Sequence, residues 1–176
     1  MLRALAQGEL LDPGTFSHVD LADVVDEAVD AARRRHPAAR IELAAPDDVT
    51  VRGWPEGLRL VADNLIANAI VHGGVDAAPH VDVDVRRNGM DEAVLTIDDT
   101  GPGLTADQRA VAFERFQRRP GSPGVGLGLT VTAQQVRLHG GTVELLDNPA
   151  GRGTRAVVRL PRTQSTEQAD TVKIVV

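Results

Sequence analysis

The stretch NLIANA at residues 64–69 decides how this chain is read, with DTGPG at residues 99–103 and GVGLGL at residues 124–129 supporting it. Around NLIANA the sequence from Pro55 is rich in helix formers, enters on that proline and leaves on Gly73 and Gly74, so a helix is expected. Val61, Leu65 and Ala69 form its apolar stripe. Asn64 and Asn68, one helical turn apart, flank that stripe, and His72 continues their row. A carboxamide at the edge of a buried face can offer its oxygen to a hard cation such as Mg²⁺ without adding negative charge that would repel phosphates. Two helical asparagines also cap a helix or decorate its surface, and taken alone the pair reads that way first.

Working outward, Leu21, Val24, Val25, Ala28, Val29 and Ala32 recur at amphipathic helical spacing, with Asp20 as N-cap and Pro37 as the stop. Short apolar pieces at 40–43 and 49–52 read as strands. Val81, Val83 and Val85 alternate with Asp82, Asp84 and Arg86. With the run from Ala93 to Asp98 they suggest an antiparallel hairpin turning at Asn88 and Gly89. A short helix from Ala106 to Phe116, a Gly- and Pro-rich loop, a helix from Leu127 to Leu138, and strands at 142–146 and 154–160 around a turn at 148–153 complete the domain. Strands paired between helices give an α+β class: a two-layer sandwich, its mixed, mostly antiparallel sheet carrying about three helices on one face.

Composition narrows the chemistry. The 176 residues suit one domain, and 42% hydrophobic with 25% charged residues excludes disorder throughout. With no Cys there is no disulfide, thiolate metal site or cysteine nucleophile. The net charge of −6 argues against a nucleic-acid partner. No run approaches the length of a membrane helix, so the chain is expected to be soluble. The aromatic residues are Phe16, Trp54, Phe113 and Phe116, and the one lysine is Lys173, so a cation needed inside the domain must be an arginine.

Three further features follow in fixed order. Asp99 to Gly103 closes an apolar strand; its glycines allow close backbone approach, and a carboxylate there can accept from an exocyclic amine, although Asp98 competes for the role. In FERF, Phe113 and Phe116 stand on one side of the short helix, either as core anchors or as a pin for a closing loop. Gly124, Gly126 and Gly128, interleaved with Leu127 and Leu129, precede a helix, where backbone N–H groups can hold phosphate oxygens. No Gly-Lys-Ser/Thr follows, so this is not a Walker loop, and no strand leads directly into it, so it is not a dinucleotide fingerprint.

The four features together resemble the ATP-binding catalytic domain of bacterial, and in tone actinobacterial, sensor histidine kinases, in the superfamily of gyrase, Hsp90 and MutL. NLIANA is similar to the N box, DTGPG to the G1 box, FERF to the F box and GVGLGL to the G2 box; LHGGTVEL and GRGTRAVVRLP resemble the closing strands. The resemblance covers about 19–161.

It implies ATP between the helix of Asn64 and Asn68 and the sheet, beside His72 and under a lid at about 117–125. Asn68 would ligate Mg²⁺ with Asn64 assisting. Asp99, directly before the glycines, would meet adenine. Gly101 and Gly103 would let the chain pass the base, Gly126 and Gly128 would serve the phosphates, and Gly124, Leu127 and Leu129 would be among the nucleotide-binding residues. Phe113 and Phe116 would anchor the lid, Thr154 would join an adenine-side water network, and Arg118 or Arg119 would meet the γ-phosphate unless both are solvated loop charges. Hydrolysing relatives carry Glu four residues before the Mg²⁺ asparagine. Asn64 stands there and cannot take a proton from water, which favours transfer to a histidine. Many relatives have a basic residue three after the second asparagine; Val71 occupies that place, implying weaker nucleotide binding.

His18, His36, His72, His80 and His139 all lie outside the family's phosphoacceptor setting. His72 and His139 read as packing residues. The resemblance therefore implies a fragment that binds ATP without autophosphorylating alone. Residues 1–11 would end a dimerisation helix, 12–18 form a linker, 19–161 make the catalytic domain and 162–176 form a disordered tail. Its partners would be its own dimerisation and histidine phosphotransfer domain, the parent homodimer and a cognate response regulator. The fragment would be cytoplasmic and the parent membrane-bound. The alternatives are a degenerate ATP sensor without transfer and an anti-sigma-factor-type kinase.

Overall fold

The computed structural model describes residues 16–45, 49–74, 78–114 and 126–163. In chain order these form β1 (Ser17–Asp20), α1 (Leu21–Arg35), β2 (Arg40–Ala44), β3 (Thr50–Gly53), α2 (Pro55–Gly73), β4 (His80–Asn88), β5 (Glu92–Asp99), α3 (Ala106–Val111), α4 (Gly128–Leu138), β6 (Thr142–Asp147) and β7 (Thr154–Pro161). Local chemistry sets the boundaries. The Asp20 carboxylate accepts from the Ala22 N–H at 2.8 Å and caps α1, as its side-chain type requires. Pro55 stands in the first turn of α2.

The main sheet has the order β2-β4-β5-β7-β6. Only β2 and β4 run parallel; the other pairs are antiparallel. The α+β expectation of a mixed, mostly antiparallel sheet under helices is borne out, with four helices among the described residues. Alternation decides the layers. Val81, Val83, Val85, Leu95, Ile97, Val158 and Leu160 turn inward, where they join Val25 and Val29 of α1, Leu58, Val61, Leu65 and Ile66 of α2, and Val136 of α4 in one core.

A second sheet is smaller. β1 and β3 pair antiparallel, Val19 opposite Val51, and both of those valines are buried. The sequence pattern gives no strand at Ser17–Asp20, because only Val19 of its four residues is buried. Val51 also bridges Arg162, and the Thr163 N–H donates to the Thr50 carbonyl at 3.2 Å. Arg162 and Thr163 are thus tied to β3, whereas the sequence reading places them in the tail. Residues 1–11 and 164–176 lie outside the described residues. No helix among the described residues is long and apolar enough to cross a membrane.

The short helix also differs from expectation. It is held by a capping box, Thr105 Oγ1 accepting from the Gln108 N–H and Gln108 Oε1 from the Thr105 N–H, but it ends at Val111 rather than continuing to Phe116. The Ala112 N–H reaches back only three residues, to Arg109, and the Glu114 N–H does the same to Val111, so the last turn tightens and closes.

Candidate functional site

The C-terminal half of α2, the end of β5, the start of α4 and the β6–β7 turn meet in one region. A Cβ built on Gly73 of α2 would lie 3.4 Å from the Asp99 Cβ, in ordinary contact. One built on Gly101 would lie 2.2 Å from the His72 carbonyl oxygen, so only glycine lets the chain pass the end of α2 there. Two turns earlier in α2, Asn64 donates its Nδ2 hydrogen to the Gly128 carbonyl at 3.3 Å, tying the middle of α2 to the first residue of α4.

The two aspartates that close β5 separate cleanly. Asp98 points to the outer face of the sheet and binds Arg155 through both oxygens, at 2.7 and 2.5 Å. The Asp98 carboxylate holds the Arg155 guanidinium above its ordinary pKa, so this pair stays closed. Asp99, one residue on, is buried at 6% exposure. Its Oδ1 accepts from the Gly101 N–H at 2.8 Å and the Thr154 N–H at 3.2 Å, while its Oδ2 takes no hydrogen bond from the described residues. The ambiguity that spacing left between Asp98 and Asp99 is a matter of strand alternation: one faces Arg155 across the outer surface, the other the helix layer.

The remaining candidates fall as follows. Asn64, Asn68 and His72 are half-buried along one row of α2. Gly103 has φ +77° and Gly126 φ +72°, conformations that favour glycine. Leu127 is the N-cap of α4 without a side-chain cap bond, and Leu129 packs against the core. Thr154 touches Asp99 through its main chain. Phe113 is half-buried in the turn after α3 rather than on a helix, so the idea that it shares a helical side with Phe116 fails at its first member. Phe116, Arg118, Arg119 and Gly124 lie outside the described residues.

A cation placed at Asn64 and Asn68 would find neutral carboxamide oxygens, since Asn64 commits its Nδ2 to Gly128 and keeps its Oδ1. Among the described residues, the one group of three His, Asp or Glu side chains close enough to share an ion is Glu42, His80 and Asp82 at the sheet edge. The asparagine pair therefore suits a divalent ion that arrives with its own counter-charge, as an ion bound to phosphate does.

Sequence reasoning passed over two residues. Asn148, in the β6–β7 turn, is buried at 6% exposure and donates its Nδ2 hydrogen to the Asp99 carbonyl at 2.8 Å. An Asn-Pro pair in a turn looks generic, and nothing in the pattern marks it as buried. Trp54 has no side-chain role at the cap of α2, but its main-chain N–H donates to His139 Nε2 at 3.0 Å. The packing role expected of His139 is what its surroundings show.

Comparison with known proteins places these features in a family. Residues 53–164 match the family described as histidine kinase-, DNA gyrase B-, and HSP90-like ATPase. The chain is 42% identical over 162 residues to the sensor-type histidine kinase PrrB of Mycobacterium tuberculosis strain H37Rv, covering 91% of this chain and 35% of that protein. It spans about a third of the length of that relative. Among solved structures, the ATP binding domain of PrrB from Mycobacterium tuberculosis superposes with a TM-score of 0.67 at 38% identity, covering 85% of this chain and 99% of that one. The mycobacterial sensor histidine kinase MprB gives a TM-score of 0.76 at 31% identity, covering 84% and 97%.

Proposed function

Because the chain belongs to the histidine kinase-, DNA gyrase B-, and HSP90-like ATPase family, we propose that it binds Mg-ATP and donates the γ-phosphate to a histidine on the dimerisation domain of a two-component sensor kinase. The observation that carries this reading is the placement of Asp99: a buried carboxylate with one oxygen saturated by two backbone donors and the other left over, beside the helix that carries Asn64 and Asn68. Such a carboxylate accepts from an exocyclic amine at one end of a nucleotide, and the asparagine row meets the phosphates at the other.

Each residue has a defined task. Asp99 Oδ2 accepts from the adenine amine. Gly101 and Gly103 keep the backbone close to the base, and Gly126 and Gly128 do so at the phosphates. Asn68 would hold the magnesium ion with Asn64 assisting, and the bound ion would supply neutralisation of the phosphate charge. Asn64 cannot accept a proton from water, so at that position there is no general base for hydrolysis, and the γ-phosphoryl group passes to an incoming imidazole nitrogen as its bond to the β-phosphate oxygen breaks and ADP leaves. In the parent this domain works on its own dimerisation domain within a homodimer at the membrane, and the phosphohistidine serves a response regulator.

Calorimetric titration tests the first half: Mg-ATP binds saturably and Asp99→Asn weakens it. Adding the dimerisation domain in trans with labelled ATP tests the second, since phosphohistidine forms on that domain and Asn68→Ala abolishes it. Val71, exposed on α2 where many relatives carry a basic residue, favours a second reading as an ATP sensor; saturable binding with no transfer under any complementation would establish that one instead.

A further inference from the structure

The β6–β7 turn grips one residue, Asp99, from several directions. Asn148 is its centre. The orientation of its carboxamide is unambiguous, because one neighbour is a carbonyl and the other an N–H: Nδ2 donates to the Asp99 carbonyl at 2.8 Å and Oδ1 accepts from the Ala150 N–H at 2.9 Å. The Asn148 main-chain N–H donates to the Gly153 carbonyl at 3.2 Å and its carbonyl accepts from the Gly151 N–H at 2.9 Å, closing the turn on itself. A buried carboxamide is costly unless bonded, and here both its atoms are used.

The rest of the turn presses on the same place. Gly153 has φ +112°, and a Cβ there would lie 1.7 Å from the Asp99 carbonyl oxygen, so the turn's backbone rests directly on that residue. Thr154, next in the chain, donates its N–H to Asp99 Oδ1. The turn thus fixes the carbonyl of Asp99 through Asn148 and its carboxylate through Thr154, while the Gly101 N–H completes Oδ1.

We propose that Asn148 is a positioning residue that orients Asp99 so that Oδ2 alone is presented to the base, which makes the β6–β7 turn the element that reads the exocyclic amine. The proposal rests on the nucleotide reading given above. It also explains why the side chain is a carboxamide: a carboxylate of the same shape has no hydrogen to give the Asp99 carbonyl and brings a second negative charge beside Asp99.

The test compares ATP with purine riboside triphosphate, which differs only in lacking the 6-amino group, by calorimetry on the unaltered chain and on Asn148→Asp. The unaltered chain binds ATP more tightly. In Asn148→Asp, ATP weakens by about tenfold, the scale of one hydrogen bond to a charged group, while the amine-free nucleotide stays within about twofold. Amide spectra supply a second readout, with the Gly101 and Thr154 N–H resonances moving together. If Asn148→Asp does not fold, Asn148→Ala, which removes the donor without adding a charge, takes its place and lowers the same ratio. Equal weakening of both nucleotides, or an unchanged ratio, overturns the positioning role while leaving nucleotide binding intact. Failure of the unaltered chain to bind either nucleotide overturns the nucleotide reading and this proposal with it.

Discussion

The main-chain N–H of Trp54 donates to Nε2 of His139 at 3.0 Å, joining the entry of α2 to the exit of α4. Because Nε2 accepts, the ring proton lies on Nδ1, which donates to the Gln135 carbonyl at 2.7 Å. The ring is stacked on Phe16, centroids 4.9 Å apart and planes at 17°. A Cβ on Gly53 would lie 2.7 Å from its Cδ2. Phe16, the Gly53–Trp54 segment and the last turn of α4 therefore meet at one imidazole, and α4 is held at both ends, by His139 here and by Asn64 on Gly128 at the other.

His139→Ala removes the acceptor for a half-buried N–H, the ring stack and the volume together. Its cost is about 2–4 kcal/mol of stability. Trp54 is the only tryptophan, so its emission through a urea titration reports this junction directly. An unchanged midpoint would show that the imidazole is not a structural joint.

The aspartates of β5 give a paired prediction. Asp99→Asn keeps an oxygen for the Gly101 and Thr154 N–H groups but turns an amide toward the base, so the fold survives and ATP affinity falls by about tenfold or more. Asp98→Asn breaks the bidentate pair with Arg155 on the outer face, costing about 1 kcal/mol of stability with ATP affinity unchanged. The raised guanidinium pKa places any alkaline loss of that pair above the usual arginine range, so its contribution is flat across neutral pH. Calorimetry of both variants decides; an equal effect on nucleotide binding would reject the assignment to Asp99.

What was legible in the sequence was local. Asp20, Pro55 and Gly73 mark helix ends by chemistry that acts within a turn of chain, and the alternation of Val81 to Arg86 sets the inner and outer faces of β4. The asparagine row and the glycines around Asp99 carry their spacing in the sequence, so the family could be reached from them. Distant pairing was not legible. Ser17–Asp20 is a strand only because β3 lies beside it more than thirty residues on. Asn148 is buried because Asp99, 49 residues earlier, ends beneath it. The end of α3 at Val111 was missed for the opposite reason, since Ala112 and Phe113 have nothing in their propensities to stop a helix.

Gly101 and Gly89 separate two reasons for glycine. Gly89 sits at φ +68° with nothing within 4 Å of a Cβ, so Gly89→Ala suffers only backbone strain, about 1 kcal/mol. Gly101 lacks that left-handed φ, yet a Cβ there would overlap the His72 carbonyl at 2.2 Å. Gly101→Ala must part β5 from the end of α2, costing about 3 kcal/mol and taking nucleotide binding with it. Thermal melts of the two variants rank them; a smaller loss at Gly101 would mean that the β5–α2 contact yields easily.

Asn64 and Asn68 differ in what else they hold. Asn64 spends its Nδ2 hydrogen on Gly128, so Asn64→Ala loosens the start of α4 by about 1 kcal/mol and weakens nucleotide binding with or without magnesium. Asn68 is half-buried on the same row, and Asn68→Ala leaves stability within about 0.5 kcal/mol. Its loss falls on the magnesium-dependent part of ATP affinity, about tenfold in the presence of the ion and little when it is chelated. Titrations of both variants with and without magnesium distinguish a ligand of the ion from a tie between helices. If Asn68→Ala loses the same affinity in both conditions, the ion is held elsewhere, and the carboxamide row serves the nucleotide by packing alone.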